Sequence, residues 1–232
     1  MGKHEEAIKT YDKALEILPK SADLWCRRGF AFIDSNKNEG AITAFDKAIE
    51  IKSKFADAWY GKGIVLASME RYEEAIDAYN KAIVIRPKFV LAWNNKGLAL
   101  ADRGKCEEAI EAYNKAIEID PQYAYAWYFK GNALDQQGRH DEATNAYDEV
   151  VRLSDEAVKL NPQYFDAWNL KGIALYKQGK YSEAIQAFDK AIEINPQYAE
   201  AWNKKGDALK SLGRTTEADA AFAKAEEFGY KG

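Results

Sequence analysis

Residues 92–123 read AWNNKGLALADRGKCEEAIEAYNKAIEIDPQY, and most of the chain is built from copies of this stretch. Apolar residues in its first half recur at the three- and four-residue spacing of an α-helix, from Ala92 to about Arg103, until Gly104 interrupts the pattern. A second run with the same spacing follows and ends at Pro121, which cannot continue a helix. The stretch is therefore predicted to form a hairpin of two antiparallel helices.

The same unit recurs along the chain at a nearly constant period. The tryptophans stand at Trp25, Trp59, Trp93, Trp127, Trp168 and Trp202. The steps between them are 34, 34, 34, 41 and 34 residues, and each tryptophan is followed four residues later by a glycine. All five prolines lie at the ends of predicted second helices. A fixed period of this length indicates an array of repeats, in which each hairpin buries its apolar faces against its neighbours.

These repeats resemble those of the tetratricopeptide repeat family. With tryptophan counted as the fourth place, the unit quoted above has Gly97 at the eighth place, Ala109 at the twentieth and Tyr113 at the twenty-fourth, as the family pattern requires. The seventh place departs from the pattern, because Lys96 replaces leucine. The resemblance implies an all-α, right-handed superhelical solenoid of stacked antiparallel helix hairpins. It also implies that ligands bind in a concave groove lined by the first helices.

Counting by these places gives a single predicted array over residues 1–232. A lone second helix at 1–21 is followed by hairpins at 22–55, 56–89, 90–123, 124–164, 165–198 and 199–232. The lone helix carries Ala7, Tyr11 and Ala14 on a face that a first helix covers in every other hairpin. An uncovered apolar face favours association, so we expect either a longer array or contact with a second molecule at this end.

The hairpin at 124–164 contains seven additional residues. The apolar pattern of residues 150–153 recurs at 157–160, as a duplicated heptad would leave it, and a heptad keeps the apolar face of a helix in nearly the same direction. We therefore predict one unbroken second helix over about 141–160, with the next hairpin shifted along it or the added turns projecting. The alternative is a break at Ser154, a residue type that favours the helix N-cap.

Composition argues against several classes of protein. The net charge is −4 and lysines are spread evenly, so the concentrated basic surface that nucleic acid requires is not expected. No stretch is long and apolar enough to span a bilayer and no signal peptide is recognisable, which predicts a cytoplasmic protein without membrane contacts. Cys26 and Cys106 occupy different places in different repeats, so neither a disulfide nor a metal site is indicated.

The sequence also lacks the motifs of catalysis. His4 and His140 lie at equivalent turn places where other repeats carry tyrosine, so a structural role explains both. Phosphate-binding loops, nucleophile elbows and paired-ligand metal motifs do not occur. We therefore expect a non-enzymatic protein without catalytic residues, metal or other cofactor.

The candidate binding residues lie on the inner face, which we define as the second, fifth, sixth, ninth, twelfth and thirteenth places of the first helices. Asparagine recurs at the fifth place and can both donate and accept hydrogen bonds, which suits a peptide main chain; simple tolerance of an exposed helix surface is the other explanation. Apolar and tyrosine side chains nearby are candidate anchors. The predicted peptide-binding residues are Tyr60, Ile64, Leu91, Asn94, Leu98, Tyr125, Tyr128, Asn132, Asn169, Ile173 and Asn203.

Acidic residues flank the apolar middle of the inner face, Asp23, Asp34 and Asp57 on one side and Glu200 and Asp207 on the other. We therefore expect a protein or peptide partner with apolar anchors and basic flanks. The carboxylate clamp of some family members is not expected, because no fifth place carries lysine. The leading prediction is a protein–protein interaction module or scaffold. The alternative is a structural scaffold that forms homo-oligomers through the uncovered N-terminal helix, with the groove incidental.

Overall fold

The computed structural model describes residues 2–230, with side chains from residue 4 onward. Within that range the secondary structure is entirely helical, which confirms the predicted all-α helical repeat fold. The helices are α1 (Gly2–Ile17), α2 (Ala22–Asp34), α3 (Asn38–Ile51), α4 (Ala56–Ser68), α5 (Tyr72–Ile85), α6 (Val90–Asp102), α7 (Cys106–Ile119), α8 (Ala124–Gln136), α9 (His140–Leu160), α10 (Phe165–Lys177), α11 (Tyr181–Ile194), α12 (Ala199–Ser211) and α13 (Thr215–Glu227). None of these described helices is both long and apolar enough to cross a membrane.

The helices are divided between two compact units, Met1–Pro121 and Gln122–Gly232. In the first unit α1 packs against α2, and the hairpins α2–α3, α4–α5 and α6–α7 stack in chain order. In the second unit the hairpins α8–α9, α10–α11 and α12–α13 do the same. The first helices α2 and α4, α4 and α6, and α10 and α12 touch directly, so their inner faces adjoin within each unit.

Each hairpin closes around an aromatic ring that fits against a glycine. The pairs are Gly29–Phe45, Gly63–Tyr79, Gly97–Tyr113, Gly131–Tyr147, Gly172–Phe188 and Gly206–Phe222. A Cβ atom added at any of these glycines would lie 2.5–2.6 Å from the nearest ring carbon. Only glycine therefore allows the two helices to approach so closely over the ring. The sequence period reflects this contact, because every hairpin needs the same two residue types at the same separation.

In the hairpin α2–α3, this ring also reaches the hairpin that follows. A Cβ atom at Gly61 of α4 would lie 2.4 Å from the ring of Phe45, which belongs to the preceding hairpin. An ion pair beside the ring fixes the register, because Lys62 Nζ lies 2.6 Å from Asp46 Oδ1. The equivalent pairs, with the same separation in sequence, are Arg28–Asp12, Lys171–Asp155 and Lys205–Asp189. The residue before each aspartate is therefore the one that enters the interface with the next hairpin.

Tryptophans hold the loops between hairpins. In four of the described loops the indole Nε1 donates a hydrogen bond to the carbonyl oxygen of the proline six residues earlier, at 2.9–3.4 Å. Trp59 makes the same bond to the carbonyl oxygen of Ser53 at 3.1 Å, although this loop has no proline. The carbonyl group, and not the proline ring, is therefore what the tryptophan requires.

Helix α9 confirms the predicted unbroken second helix. It contains 21 residues, whereas α7 and α11 contain 14. Ser154 lies inside this helix and is only 2% exposed, so the alternative of a break with Ser154 as N-cap is wrong. Against its own first helix α9 packs in the ordinary way, because Tyr147 faces Gly131.

The hairpin α10–α11 is displaced along α9 by the added heptad. Counted from Trp127, the partner of Lys171 should be Asp148. Instead, Lys171 Nζ lies 2.6 Å from Asp155 Oδ1, and Asp148 Oδ1 accepts a hydrogen bond of 2.8 Å from Gln178 Nε2. Seven residues at 1.5 Å each correspond to a displacement of about 10 Å along the helix. Of the two outcomes predicted for the insertion, the shift along the helix is therefore the one that occurs.

Candidate peptide-binding surface

In the first unit, the apolar residues of the inner face lie on the adjoining helices α4 and α6. Leu91 at the second place of α6 is 40% exposed, which is unusual for a large apolar side chain inside a helix of this chain. Ile64 and Leu98, at the ninth places of α4 and α6, are half-buried. These three side chains give the first unit an apolar surface that a ligand can reach.

The fifth places of α4 and α6 belong to a polar network beneath that surface. The ring of Tyr60 packs against Phe89 with 4.8 Å between centroids, and its hydroxyl accepts a hydrogen bond of 3.2 Å from Asn95 Nδ2. Asn94 is 2% exposed, and its Nδ2 donates to Asn95 Oδ1 at 3.3 Å. Asn94 is thus buried, contrary to both explanations of the recurring asparagine, and its amide orients Asn95 and Tyr60.

In the second unit, α8 offers an aromatic inner face. Tyr125 at the second place is 43% exposed, and its ring stacks on Phe129 with 6.4 Å between centroids. Tyr128 is half-buried and packs against both Phe129 and Tyr147. The hydroxyl of Tyr147 lies 3.0 Å from Asn132 Oδ1, so this asparagine already has a partner inside its hairpin. Tyr125 is therefore the most accessible predicted anchor of α8.

Two carboxylates on α10 and α12 surround the hydroxyl of Tyr198. The hydroxyl donates to Glu200 Oε2 at 3.1 Å, and Asp166 is also within hydrogen-bonding reach. Burial and then these two carboxylates raise the pKa of Tyr198, so the phenol stays protonated. Among the described side chains, no cation lies within ion-pair distance of Asp166 or Glu200. This pair therefore gives the second unit two negative charges without a cationic partner.

The remaining predicted residues of the second unit are less accessible. Asn169 is buried, and its Nδ2 donates to the hydroxyl of Tyr198 at 3.2 Å. Ile173 is buried in the core of its hairpin, and Asn203 is half-buried. Asn169 therefore orients the Tyr198 hydroxyl through this hydrogen bond, as Asn94 orients Asn95 in the first unit.

Most of the other predicted acidic residues of the inner face are compensated. Arg86 holds Asp57 through two hydrogen bonds of 3.0 and 2.6 Å. Arg27 Nε lies 2.7 Å from Asp23 Oδ2. Of the residues predicted for the two flanks, Glu200 therefore keeps a negative charge that is available to a ligand, and Asp166 beside it adds a second. Across the described side chains, no three His, Cys, Asp or Glu residues are grouped so as to hold a metal ion.

A cavity of about 210 Å³ in the second unit was not predicted. It lies between the start of α8, the added heptad of α9 and the start of α10, and its walls include Tyr125, Ser154, Tyr164, Asp166 and Leu170. Only Tyr125 was among the predicted site residues. The signal in the sequence is the residue eleven positions before each hairpin, which is aromatic before Ala56 and Ala199 but is Ser154 before Phe165.

Sequence models of known families match the chain along most of its length. A model described as TPR repeat matches residues 1–33, 31–69, 97–138 and 172–213. Related models described as tetratricopeptide repeat match 56–89, 124–157, 153–186 and 199–228. The matches at 124–157 and 153–186 overlap in the added part of α9, where counting forward from one hairpin meets counting back from the next. Comparison with curated proteins gave no match.

Solved structures share the fold. A chain of the APC/C hetero-tetramer Cut9–Hcn1 superposes with a TM-score of 0.75 at 18% identity, over 98% of this chain and 44% of that one. A tetratricopeptide repeat protein from Parabacteroides merdae superposes with a TM-score of 0.71 at 18% identity, over 99% and 88% of the two chains. YrrB, described as a TPR protein with an unusual peptide-binding site, is 26% identical, with a TM-score of 0.54 over 82% of this chain and 95% of YrrB.

Proposed function

This chain belongs to the tetratricopeptide repeat family, and from that premise we propose that it is a non-enzymatic module that binds a peptide segment of a partner protein along its inner face. The repeats support a protein–protein interaction scaffold, and the similarity to YrrB supports a peptide as the form of the ligand. The observation that carries the proposal is the exposure of Leu91 and Tyr125 on first helices. Other exposed apolar residues, such as Ile17, Ile51 and Leu160, end second helices instead.

The chemistry of the inner face defines the ligand that we propose. Leu91 in the first unit and Tyr125 in the second are suited to take apolar anchors, because each offers apolar area without first having to leave a core. Tyrosine adds a large rigid surface at little cost in conformational entropy. The uncompensated Asp166 and Glu200 favour basic residues in a ligand that binds the second unit. The ligand is therefore a peptide with apolar anchors and at least one basic flank.

Replacing Leu91 or Tyr125 by alanine should weaken peptide binding by about tenfold or more, because exposed anchors at a binding surface carry much of the affinity. The ligand to use is a peptide selected from a random library on the full chain, with affinity measured by fluorescence anisotropy. Val84→Ala is the matched control, because Val84 is 80% exposed but lies on the second helix α5. Unchanged affinity in the Leu91→Ala and Tyr125→Ala variants would show that selected peptides bind elsewhere.

Self-association is a second candidate, favoured by one observation on α1. Ala7, Tyr11 and Ala14 are half-buried in the part of the chain that the structure describes, whereas Ala41, Phe45 and Ala48 at the equivalent places of α3 are fully buried. Apolar surface of this kind is favourable to cover. A second copy of the chain could provide that cover through its own α1.

Under this candidate, the mean mass measured by sedimentation should rise with protein concentration, and Tyr11→Arg should hold the chain at the monomer mass. The charged side chain would have to be buried without a partner in the contact. Val84→Arg is the control, since it adds the same charge at an exposed place outside α1. A constant monomer mass for the unaltered chain over a wide range of concentration would exclude self-association.

A further inference from the structure

The added heptad of α9 places a serine where the other hairpins bring an aromatic ring into the next interface. Ser154 precedes Asp155 as Phe45 precedes Asp46, and both aspartates pair at 2.6 Å with the lysine sixteen residues later. Ser154 therefore takes the position of the ring with respect to α10. A serine cannot fill the volume of a phenyl or phenol ring, and the cavity of about 210 Å³ lies at this place.

The lining of the cavity contains a polar atom that no described protein group satisfies. Ser154 is 2% exposed, and its Oγ makes no hydrogen bond to any described atom of the chain. A buried hydroxyl without a partner is unfavourable, and water or a ligand atom is what normally completes it. A polar group of a ligand in this cavity would therefore complete the hydrogen bonding of Ser154 Oγ.

The walls of the cavity are largely apolar. Leu153, Ala157 and Leu170 supply apolar walls, and the partly exposed rings of Tyr125 and Tyr164 stand beside them. Such walls suit the aliphatic part of a ligand side chain or the flat face of a planar group.

The acidic group of the cavity is Asp166, which has no cationic partner among the described side chains. Burial first, and then the Asp166 carboxylate, raise the pKa of Tyr125, which agrees with the closeness of these two groups at the cavity. Glu200, which accepts a hydrogen bond from the Tyr198 hydroxyl, adds a second negative charge nearby and also raises the pKa of Tyr125. The electrostatic potential of the cavity therefore favours a cation.

We propose that this cavity binds one lysine or arginine side chain of the partner protein, an inference that rests on the proposed peptide-binding function. The aliphatic stem packs against the leucines and alanine, the cation pairs with Asp166 at the face of the tyrosine rings, and one N–H donates to Ser154 Oγ. A carboxylate would be repelled by Asp166 and Glu200. A purely apolar side chain would bury Asp166 without a cationic partner and would leave Ser154 Oγ without a hydrogen bond.

The size of the cavity agrees with a single side chain. Pockets for drug-sized ligands usually measure about 300–1,000 Å³, which exceeds the roughly 210 Å³ found here. A drug-sized ligand or large cofactor therefore does not fit, whereas one side chain of a peptide lying on the inner face does.

The direct test titrates the full chain with N-acetyl-lysine N-methylamide and its arginine and norleucine analogues, and follows the Tyr125 and Tyr164 ring signals and the Ser154 amide by NMR. A lysine or arginine derivative should bind with a Kd on the order of 1 mM, as expected for so small a ligand, and the neutral norleucine derivative at least about tenfold more weakly. Equal binding of the norleucine derivative, or no binding of either cation, would overturn the proposal.

Two substitutions locate the site. Asp166→Asn keeps the shape of the side chain and should weaken binding of the lysine derivative about tenfold, whereas Asp219→Asn, the same charge change on α13, should alter it less than about twofold. Ser154→Met places a flexible apolar side chain in the cavity and should abolish the binding. A folded Ser154→Met or Asp166→Asn protein that binds the lysine derivative with unchanged affinity contradicts the proposal.

The outcome for the cavity can be separated from the outcome for the proposed function. Library-selected peptides that depend on Leu91 and Tyr125 but are indifferent to Asp166→Asn and Ser154→Met would retain peptide binding and reject the cavity as its basic-residue site. Specific binding of the lysine derivative, without any peptide that depends on Leu91 or Tyr125, would retain the cation site and reject the proposed function.

Discussion

Replacing Phe188 by alanine is expected to lower the free energy of unfolding of the second unit by about 3–5 kcal/mol. The ring is fully buried, and a Cβ atom at Gly172 would lie 2.6 Å from it, so it fills the centre of the hairpin α10–α11. It also immediately precedes Asp189, whose ion pair with Lys205 marks the interface with α12. Its removal therefore opens a cavity in one hairpin and weakens the contact with the next.

The measurement is urea unfolding followed by circular dichroism, with amide hydrogen exchange to show which helices open first. Phe222→Ala is the matched control, because Phe222 faces Gly206 in the same way but is only half-buried. We expect Phe222→Ala to lower the free energy of unfolding clearly less than Phe188→Ala does, because the loss depends on how far the ring is buried. Equal losses in the two variants would mean that the contact with the next hairpin contributes little to stability.

Much of the fold could be predicted because one contact is repeated. A glycine and the aromatic ring that faces it recur in all six hairpins. A single such pair in the sequence would be ambiguous, whereas six pairs at the same separation identify the contact. The unbroken α9 could also be predicted, because the apolar residues 150–153 and 157–160 keep one face of a helix in register across the insertion. The shift of α10 followed from that continuity.

The parts of the site that could not be predicted depend on contacts between hairpins. The burial of Asn94 arises from the adjoining Tyr60 and Asn95, which lie on two different helices. Asn169 is buried because Tyr198, nearly a whole repeat away, places its hydroxyl at the amide. The position of a residue within its own repeat gives no information about neighbours that lie on the helix of another repeat. The sequence therefore predicts which face of its helix a residue occupies better than it predicts whether a ligand can reach that residue.

The cavity was missed for a related reason. Counting forward from Trp127 gives Tyr147 as the ring of its hairpin, and Ser154 then has no place in an interface between hairpins. With an insertion, the second helix has two registers, one for its own first helix and one for the hairpin that follows. Only the second register, counted back from Phe165, reveals that the ring is replaced by serine at this interface.

Deleting the heptad 148–154 should therefore give a folded protein that no longer binds the lysine derivative. The deletion joins Tyr147 to Asp155 and produces the run NAYDEAVKLNPQYFDAW, which corresponds residue by residue to QAFDKAIEINPQYAEAW at 186–202. Helix α9 would then have 14 residues, as α7 and α11 do. Tyr147 would meet both Gly131 and α10, so its ring would occupy the space of the cavity.

The expected readouts are retained helicity by circular dichroism, a cooperative unfolding transition and no detectable shift of the tyrosine ring signals with N-acetyl-lysine N-methylamide. The matched control deletes residues 189–195, the last six residues of α11 and its C-cap Asn195, which removes seven residues without restoring a register. That control should uncouple α12 and α13 from the rest of the second unit, because the ring of Phe188 and the residues that pack beside it no longer reach the next hairpin.

A heptad deletion that unfolds as readily as the control would show that residues 148–154 are integral to the hairpin and not an insertion between two intact registers. A folded deletion protein that still binds the lysine derivative would place the cation site outside the cavity. The predicted result, a stable fold without the cavity, follows because the deletion gives the α9–α10 interface the same ring and ion pair that the α11–α12 interface has. The added heptad then contributes the cavity and its unpaired Ser154, and the rest of the stack does not require it.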